Sequence, residues 1–301
     1  MAAQLPEADA DGHRAVILDG AVGTELGRRG LDTRTAFFSS IALLNEGGRR
    51  ILRELHLDYL RAGADIVTAA TFRTNRRALE AAGQGSRFPD LAEAAVGEAR
   101  AARDQHGSGL VAGSMAPLAD CYRPEARPAP EAAFTEHLEH ARALAIAGCD
   151  LLLVETIASA EEGITAIEAA SATGLPVCAS AQVTPDGKLL DGSDPRVFFT
   201  AAASAGAGAV LINCIPPDGI DAMLEVASGA GVPFGAYAHL GEMDPAVQWP
   251  RSPVLEPDAY ADRAARWVER GATMIGGCCG TNPAHIAALA RRFGRARPPG
   301  T

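Results

Sequence analysis

Residues 147–156, Ala-Gly-Cys-Asp-Leu-Leu-Leu-Val-Glu-Thr, decide the fold. The apolar run Leu151–Val154 is typical of a strand buried on both faces, as in a parallel sheet. Gly148 ends the preceding helical segment, since glycine accepts the left-handed conformation that closes a helix. Glu155 and Thr156 place polar groups at the carboxyl end of the strand. The stretch therefore predicts one helix-to-strand unit of an α/β protein.

The same unit recurs along the chain. Short apolar segments predict eight strands, at 15–19, 65–68, 110–113, 151–154, 177–183, 209–212, 233–237 and 273–275. Helical spacing of apolar residues predicts helices at 46–62, 76–82, 91–106, 130–147, 160–172, 195–205, 219–228, 258–270 and 283–292. The glycines at 20 and 23 predict a flexible loop over residues 20–23. Eight strand–helix pairs predict a single (β/α)8 TIM barrel over residues 14–294, with a flexible lead (1–13) and tail (295–301).

Composition narrows the class of protein. The chain has 301 residues and a net charge of −10, which disfavours nucleic acid or an anionic membrane as the partner. Residues 1–12 lack the features of a signal peptide, and no run approaches the roughly 18–20 apolar residues of a membrane span. We therefore expect a cytoplasmic protein. In the cytoplasm, which keeps thiols reduced, six cysteines more often indicate metal binding or catalysis than disulfide bonds.

The ends of the predicted strands are rich in polar and thiol side chains. TIM-barrel enzymes place their active sites on the rim formed by these carboxyl ends. The residues expected on this rim are Asp19, Gly20, Thr71, Phe72, Ser114, Glu155, Thr156, Gln182, Asn213, Cys214, His239, Cys278 and Cys279.

Three of these rim residues are cysteines that suit one metal ion. Cys214 follows the sixth strand, and Cys278 and Cys279 follow the eighth. Two strands span about 10 Å at roughly 4.8 Å per strand, so the three thiolates can converge. Glycines at 276, 277 and 280 free the backbone around the vicinal pair. Three protein ligands with one open position are the arrangement of a catalytic zinc.

The ligand type indicates the chemistry. Zn²⁺ and three thiolates together carry a net negative charge. Such a centre polarises a carbonyl poorly, but it suits a bound nucleophile that must stay electron-rich. The predicted reaction is alkyl transfer onto a thiol. Two alternatives remain at this point. Cys278 and Cys279 could form a strained redox disulfide while Cys214 packs in the core, or the zinc could be structural, which would call for a fourth ligand at short spacing.

Four motifs resemble the homocysteine S-methyltransferase family. They are Leu18–Leu26 (LDGAVGTEL), Val154–Thr156 (VET), Ile212–Cys214 (INC) and Ile275–Thr281 (IGGCCGT). The family includes S-methylmethionine- and betaine-dependent enzymes and the homocysteine module of methionine synthase. The likeness covers nearly the whole chain.

The resemblance implies a zinc-dependent S-methyltransferase built on a TIM barrel. It implies a methyl group moving from a small donor, of the S-methylmethionine, S-adenosylmethionine or betaine type, to the thiolate of homocysteine, which gives methionine. Zn²⁺ would be held by Cys214, Cys278 and Cys279. A carboxylate at Glu155 would pair with the ammonium of homocysteine, and N–H groups of the 20–24 loop would receive its carboxylate. The substrate-binding candidates are Asp19, Gly20, Thr24, Glu155, Asn213 and His239.

The chain departs from the family pattern after the seventh strand. Many members have Tyr-Pro-Asn-x-Gly there, whereas residues 237–242 read Tyr-Ala-His-Leu-Gly-Glu. His239 could bind the metal, act on the donor or form a hydrogen bond within the loop, and the last is favoured. Arg73 could contact the donor or a carboxylate, or be a surface arginine. Open alternatives for function are another small thiol or selenol acceptor, a module that works with a separate corrinoid protein, and a zinc- or thiol-binding protein without turnover.

Overall fold

The computed structural model describes residue 5 and residues 14–241 and 254–294. Within these ranges eight parallel strands form one sheet in the order β1-β8-β7-β6-β5-β4-β3-β2. A parallel bridge between Leu18 and Ile66 joins β1 to β2 and closes the sheet. The strands are β1 (Val16–Ile17), β2 (Ile66–Ala69), β3 (Leu110–Met115), β4 (Leu151–Ile157), β5 (Val177–Ala181), β6 (Ala209–Asn213), β7 (Phe234–Ala238) and β8 (Met274–Gly277).

Helices alternate with the strands around the outside. The described part of the chain contains α1 (Val22–Arg28), α2 (Glu46–Ala62), α3 (Arg76–Ala81), α4 (Phe88–His106), α5 (Pro130–Ala147), α6 (Ala160–Ser171), α7 (Pro195–Ser204), α8 (Pro217–Ser228), α9 (Pro257–Glu269) and α10 (Pro283–Phe293). Short 3₁₀ segments occupy Phe38–Leu44, Gly85–Arg87 and Pro124–Ala126. The predicted (β/α)8 TIM barrel is confirmed. No helix in the described ranges combines the length and apolar character needed to cross a membrane.

Two apolar layers stabilise the barrel. Side chains inside the sheet, among them Val16, Leu151 and Leu211, form one buried cluster, against which Leu5 also packs. A larger cluster fills the space between the sheet and the helices. Burial of the strands on both faces explains why they are continuously apolar in sequence.

The prediction of a flexible loop through Gly23 is wrong. Helix α1 begins at Val22, so Gly23 lies in its first turn. A Cβ at Gly23 would lie 2.1 Å from a ring carbon of Phe38, so the glycine permits close packing of the aromatic ring. The predicted lead (1–13, residue 5 apart), the predicted tail (295–301) and Glu242 lie outside the described residues.

Aspartates at the amino-terminal end of the barrel join neighbouring strands. Asp65 Oδ2 accepts a hydrogen bond from the Ile17 N–H at 2.9 Å. Asp150 Oδ2 accepts one from the Val111 N–H at 2.8 Å and one from Arg103 Nη1 at 3.1 Å. These bonds satisfy backbone donors at the point where each strand enters the sheet. They explain why an aspartate follows Ala-Gly-x before both strands, at residues 62–65 and 147–150.

We expect Asp150→Ala to lower the free energy of unfolding by about 1 to 3 kcal/mol, because the Val111 N–H loses its side-chain acceptor. Asp150→Asn should retain much of the stability, since its amide oxygen can still accept that bond. Urea denaturation followed by circular dichroism measures both variants. Equal losses would contradict the assigned role of the acceptor oxygen.

Candidate metal and substrate site

A cavity of about 820 Å³ opens at the carboxyl ends of the strands. Its wall includes four cysteines, three carboxylates and several aromatic and arginine side chains. The polar and thiol residues predicted for the rim that line it are Asp19, Gly20, Ser114, Glu155, Thr156, Cys214, Cys278 and Cys279.

The three predicted metal ligands lie together and form what we call the sulfur cluster: Cys214, Cys278 and Cys279. The ligand atoms of Cys214, Cys279 and His239 all lie within 4.8 Å of one another. The distance from Cys214 Sγ to His239 Nδ1 is 4.0 Å. The Cys278 thiol is in hydrogen-bonding contact with the other two sulfurs. His239 therefore lies against the sulfurs, buried, instead of facing solvent.

The sulfurs interact strongly with one another. Hydrogen bonds from Cys214 and Cys278, and a further one from His239, hold the pKa of the Cys279 thiol well below its usual range. The pKa of Cys278 is raised, because its bonds to Cys214 and Cys279 and its burial favour the neutral thiol. The negative charge thus lies on Cys279 and is stabilised by the neighbouring thiols, and thiolate donors are those that soft metals select.

Backbone hydrogen bonds align the two cysteine-bearing segments. The Cys278 N–H donates to the Ala238 carbonyl at 2.9 Å, and the Leu240 N–H donates to the Cys279 carbonyl at 2.8 Å. Gly280 has a φ of +84° and approaches so closely that a Cβ would lie 2.1 Å from the Leu240 oxygen. Cys214 itself has a φ of +56°, which turns its side chain out of the line of β6.

Helix α1 fixes the loop that carries the vicinal cysteines. Thr24 Oγ1 accepts a hydrogen bond from the Gly280 N–H at 3.1 Å, and Arg28 Nη2 donates to the Gly280 carbonyl at 3.0 Å. Thr281 Oγ1 donates to the Cys278 carbonyl at 2.7 Å. Thr24 was predicted to bind substrate. The structure places its hydroxyl on the cysteine loop.

Asp19 and Glu155, which we call the carboxylate pair, lie buried in the same cavity. Asp19 Oδ2 accepts from the Thr68 N–H at 2.7 Å, and Oδ1 accepts from Thr68 Oγ1 at 2.9 Å. Glu155 accepts from Ser114 Oγ and, at 3.1 Å, from the Tyr237 hydroxyl. Desolvation raises the pKa of Asp19 to about 8 and that of Glu155 to about 7. Both groups gain from a cationic ligand that restores the charged form.

A bulge in β4 aims Glu155 into the cavity. The register with β5 shifts between Val154 and Ile157, and Thr156 has a φ of +61°. Asn213 Nδ2 donates to Thr156 Oγ1 at 2.8 Å, while its Oδ1 accepts from the Thr156 N–H at 3.3 Å. Asn213 was also predicted to bind substrate. Its side chain is fully buried and braces the bulge.

Residues 118–122, which follow β3, form a wall of the cavity that no sequence motif marks. Gln182 Nε2 donates to the Cys121 carbonyl, and Arg73 Nη1 donates to the Ala119 carbonyl. The Tyr122 hydroxyl lies 3.9 Å from Cys214 Sγ. Cys121, Tyr122 and Arg73 all line the cavity. The segment has no motif of its own, so only the tertiary structure brings it to the sulfurs.

A family model described as homocysteine S-methyltransferase matches residues 16–293. The chain belongs to this family. The homocysteine S-methyltransferase of Escherichia coli (strain K12) is 34% identical over 299 residues, which cover 92% of this chain and 94% of that protein. The resemblance drawn from the motifs is confirmed, and the chain is an S-methyltransferase.

Two further relatives broaden the comparison. The selenocysteine Se-methyltransferase of Brassica oleracea var. italica is 28% identical over 307 residues, covering 92% of this chain and 88% of that protein. The crystal structure of the homocysteine methyltransferase MmuM from Escherichia coli, in its metallated form, superimposes with a TM-score of 0.80 at 32% identity. That superposition covers 94% of this chain and 97% of that one.

The donor atoms of Cys214, His239 and Cys279 all lie within 4.8 Å of one another, an arrangement that fits one metal ion. Ligands at about 2.3 Å for sulfur and 2.0–2.1 Å for nitrogen place neighbouring donor atoms about 3.5–3.8 Å apart around zinc. The observed 4.0 Å between Cys214 and His239 is close to that spacing. Small side-chain rotations would bring the donors to bonding distance.

The buried carboxyl of Asp19 should make stability depend on pH. Its pKa is raised from 3.8 to about 8, so the folded chain keeps a proton that the unfolded chain releases. This contribution is complete below the unfolded pKa and is lost as pH rises towards the folded one. Asp19→Asn should remove up to about 1.4 kcal/mol per pH unit of that decline. Urea denaturation of both proteins at pH 5, 6 and 7 measures the slopes, and parallel slopes would contradict the assignment.

Proposed function

We propose that this S-methyltransferase transfers a methyl group from a small sulfonium or quaternary ammonium donor to the thiol of homocysteine, giving methionine. The observation that supports this most is the placement of the sulfur cluster and the carboxylate pair in one cavity. A sulfur nucleophile and an ammonium group are the two ends of homocysteine. The site offers a partner for each.

The carboxylate pair would hold the amino-acid end of the acceptor. An ammonium group beside Asp19 and Glu155 favours their charged forms and so offsets the desolvation that raises both pKa values. Thr68, Ser114 and Tyr237 keep the two carboxylates oriented through hydrogen bonds. The Gly20 backbone borders the same cavity, and its missing side chain leaves room for Thr281 and Tyr59, from which a Cβ would lie 2.9 Å.

The sulfur cluster would hold Zn²⁺ through Cys214, Cys278 and Cys279, with His239 beside it. When bound, the zinc supplies a deprotonated acceptor sulfur at neutral pH. The chain's own contribution is to fix the three sulfurs through the α1 contacts and the β7–β8 hydrogen bonds. The Tyr122 hydroxyl also lies 3.9 Å from the Cys214 sulfur.

The transfer needs alignment more than acid catalysis. A bond forms between the acceptor sulfur and the methyl carbon while the carbon breaks from the donor sulfur or nitrogen, which leaves neutral. No proton has to reach the leaving group. The cavity of about 820 Å³ has room for both small molecules, so their relative placement can supply much of the rate acceleration.

A selenol acceptor is the second candidate. The similarity to a selenocysteine Se-methyltransferase across 92% of this chain favours it. A selenol ionises more readily than a thiol, and the side chains that would orient homocysteine could also orient a selenol acceptor. Rates measured with homocysteine and selenocysteine side by side separate the two acceptors.

We expect Cys214→Ser, Cys278→Ser and Cys279→Ser each to lose bound zinc and to form methionine at least about 100-fold more slowly, since disturbing even outer-shell partners of a metal costs about 10- to 100-fold. Metal content is measured by mass spectrometry, and methionine by liquid chromatography with homocysteine and S-methylmethionine. Cys178→Ala is the matched control, because Cys178 is buried in β5 and packs with the barrel interior. Full activity in the Cys278 variant would refute the proposed site.

A further inference from the structure

Three arginines line the cavity among the described residues, and two of them have acidic partners. Arg34 Nε lies 3.5 Å from Asp32 Oδ1. Arg77 forms a two-pronged pair with Glu136, at 2.8 Å and 2.6 Å. Arg73 has no carboxylate within ion-pair distance in the part of the chain that the structure describes. Its charge is therefore available to a ligand.

Two contacts hold Arg73 in place. Nη1 donates to the Ala119 carbonyl on the wall formed by residues 118–122. The guanidinium carbon lies 5.6 Å from the centroid of the Phe72 ring, which is a cation–π contact. A guanidinium carries five N–H donors in a fixed plane, so the bond to Ala119 leaves several for another partner. A fixed, half-buried guanidinium with free donors is suited to bind a carboxylate in two-pronged fashion.

The cavity wall carries groups of both charge signs. The carboxylate pair and the sulfur cluster are anionic or become so, and they suit an ammonium and a thiol. Arg73 lies on the segment after β2, beside Phe72 and Phe38, whose rings meet edge to face at 6.0 Å. Aromatic faces next to a guanidinium favour a ligand that carries both a cation and a carboxylate. Methyl donors of the sulfonium amino-acid and betaine classes have both groups.

We propose that Arg73 binds the carboxylate of the methyl donor and thereby selects donors that carry one. This rests on the proposed methyl transfer to homocysteine. The acceptor has other partners for its ends: the sulfur cluster for its thiol, the carboxylate pair for its ammonium, and the backbone near Gly20 for its carboxylate. Arg73 is thus left for the second substrate.

The test combines a change in the enzyme with a change in the donor. Wild type, Arg73→Gln and Arg73→Lys are assayed with homocysteine and either S-methylmethionine or its carboxamide, which has the same shape without the negative charge. Arg77→Gln is the matched control, because Arg77 also borders the cavity but is paired with Glu136.

We expect Arg73→Gln to lower kcat/KM for S-methylmethionine by about 10- to 100-fold, the range for a lost hydrogen bond to a charged group. The same variant should change kcat/KM for the carboxamide by less than about 3-fold, since that donor lacks the charge. Arg73→Lys should recover part of the loss. KM for homocysteine should stay unchanged, and Arg77→Gln should keep the wild-type preference between the donors. Equal losses with both donors would overturn the inference, and so would a rise in KM confined to homocysteine.

Calorimetric binding of S-methylmethionine separates this inference from the proposed function. If wild type binds the donor without forming methionine, the proposed function fails. Arg73 is then judged by whether Arg73→Gln weakens that binding while leaving binding of the carboxamide unchanged. If the wild-type enzyme does not bind S-methylmethionine or betaine, and does not use either one as a methyl donor, the inference about Arg73 is overturned.

Discussion

The site depends on the hydrogen bonds that dock the cysteine loop onto the end of β7. The Cys278 N–H bonds to the Ala238 carbonyl, and the Leu240 N–H bonds to the Cys279 carbonyl. These bonds continue the parallel β7–β8 ladder beyond the last regular strand residues. Because these bonds fix the backbone of both vicinal cysteines, the folded chain holds their two sulfurs beside Cys214. The barrel thereby determines where a soft metal can bind.

The second constraint is the burial of acidic groups in the same cavity. Asp19 and Glu155 are buried, and each is held by hydrogen bonds from neighbouring strands. Keeping them charged without a partner is costly, so the cavity has an intrinsic preference for a cation. The sulfur cluster, in contrast, offers donor atoms that suit a soft metal ion. One cavity therefore combines buried carboxyl groups with soft sulfur donors, and the proposed acceptor carries a group that suits each.

Much of the fold could be predicted from the sequence, because strands buried on both faces and helices closed by glycine leave local patterns. The rim cysteines, Asp19 and Glu155 could also be placed, since the position after a strand determines the end of the barrel on which a residue lies. Helix α1 could not be predicted, because a glycine such as Gly23 is typical of a loop. Its place in the first turn of the helix depends on close packing with the ring of Phe38. Whether a polar side chain on the rim points into the cavity or into the sheet could not be predicted from the sequence either. Asn213 was expected to face substrate, but it bonds to Thr156 across the sheet.

The central claim is that the three sulfurs bind one metal ion in the cavity. X-ray absorption at the zinc edge, on protein purified without added chelator and loaded with one equivalent of zinc, tests it most directly. We expect three sulfur neighbours at about 2.3 Å, with one remaining position that becomes a fourth sulfur when homocysteine is added. Fewer than three sulfur neighbours, or a spectrum that homocysteine leaves unchanged, would contradict it.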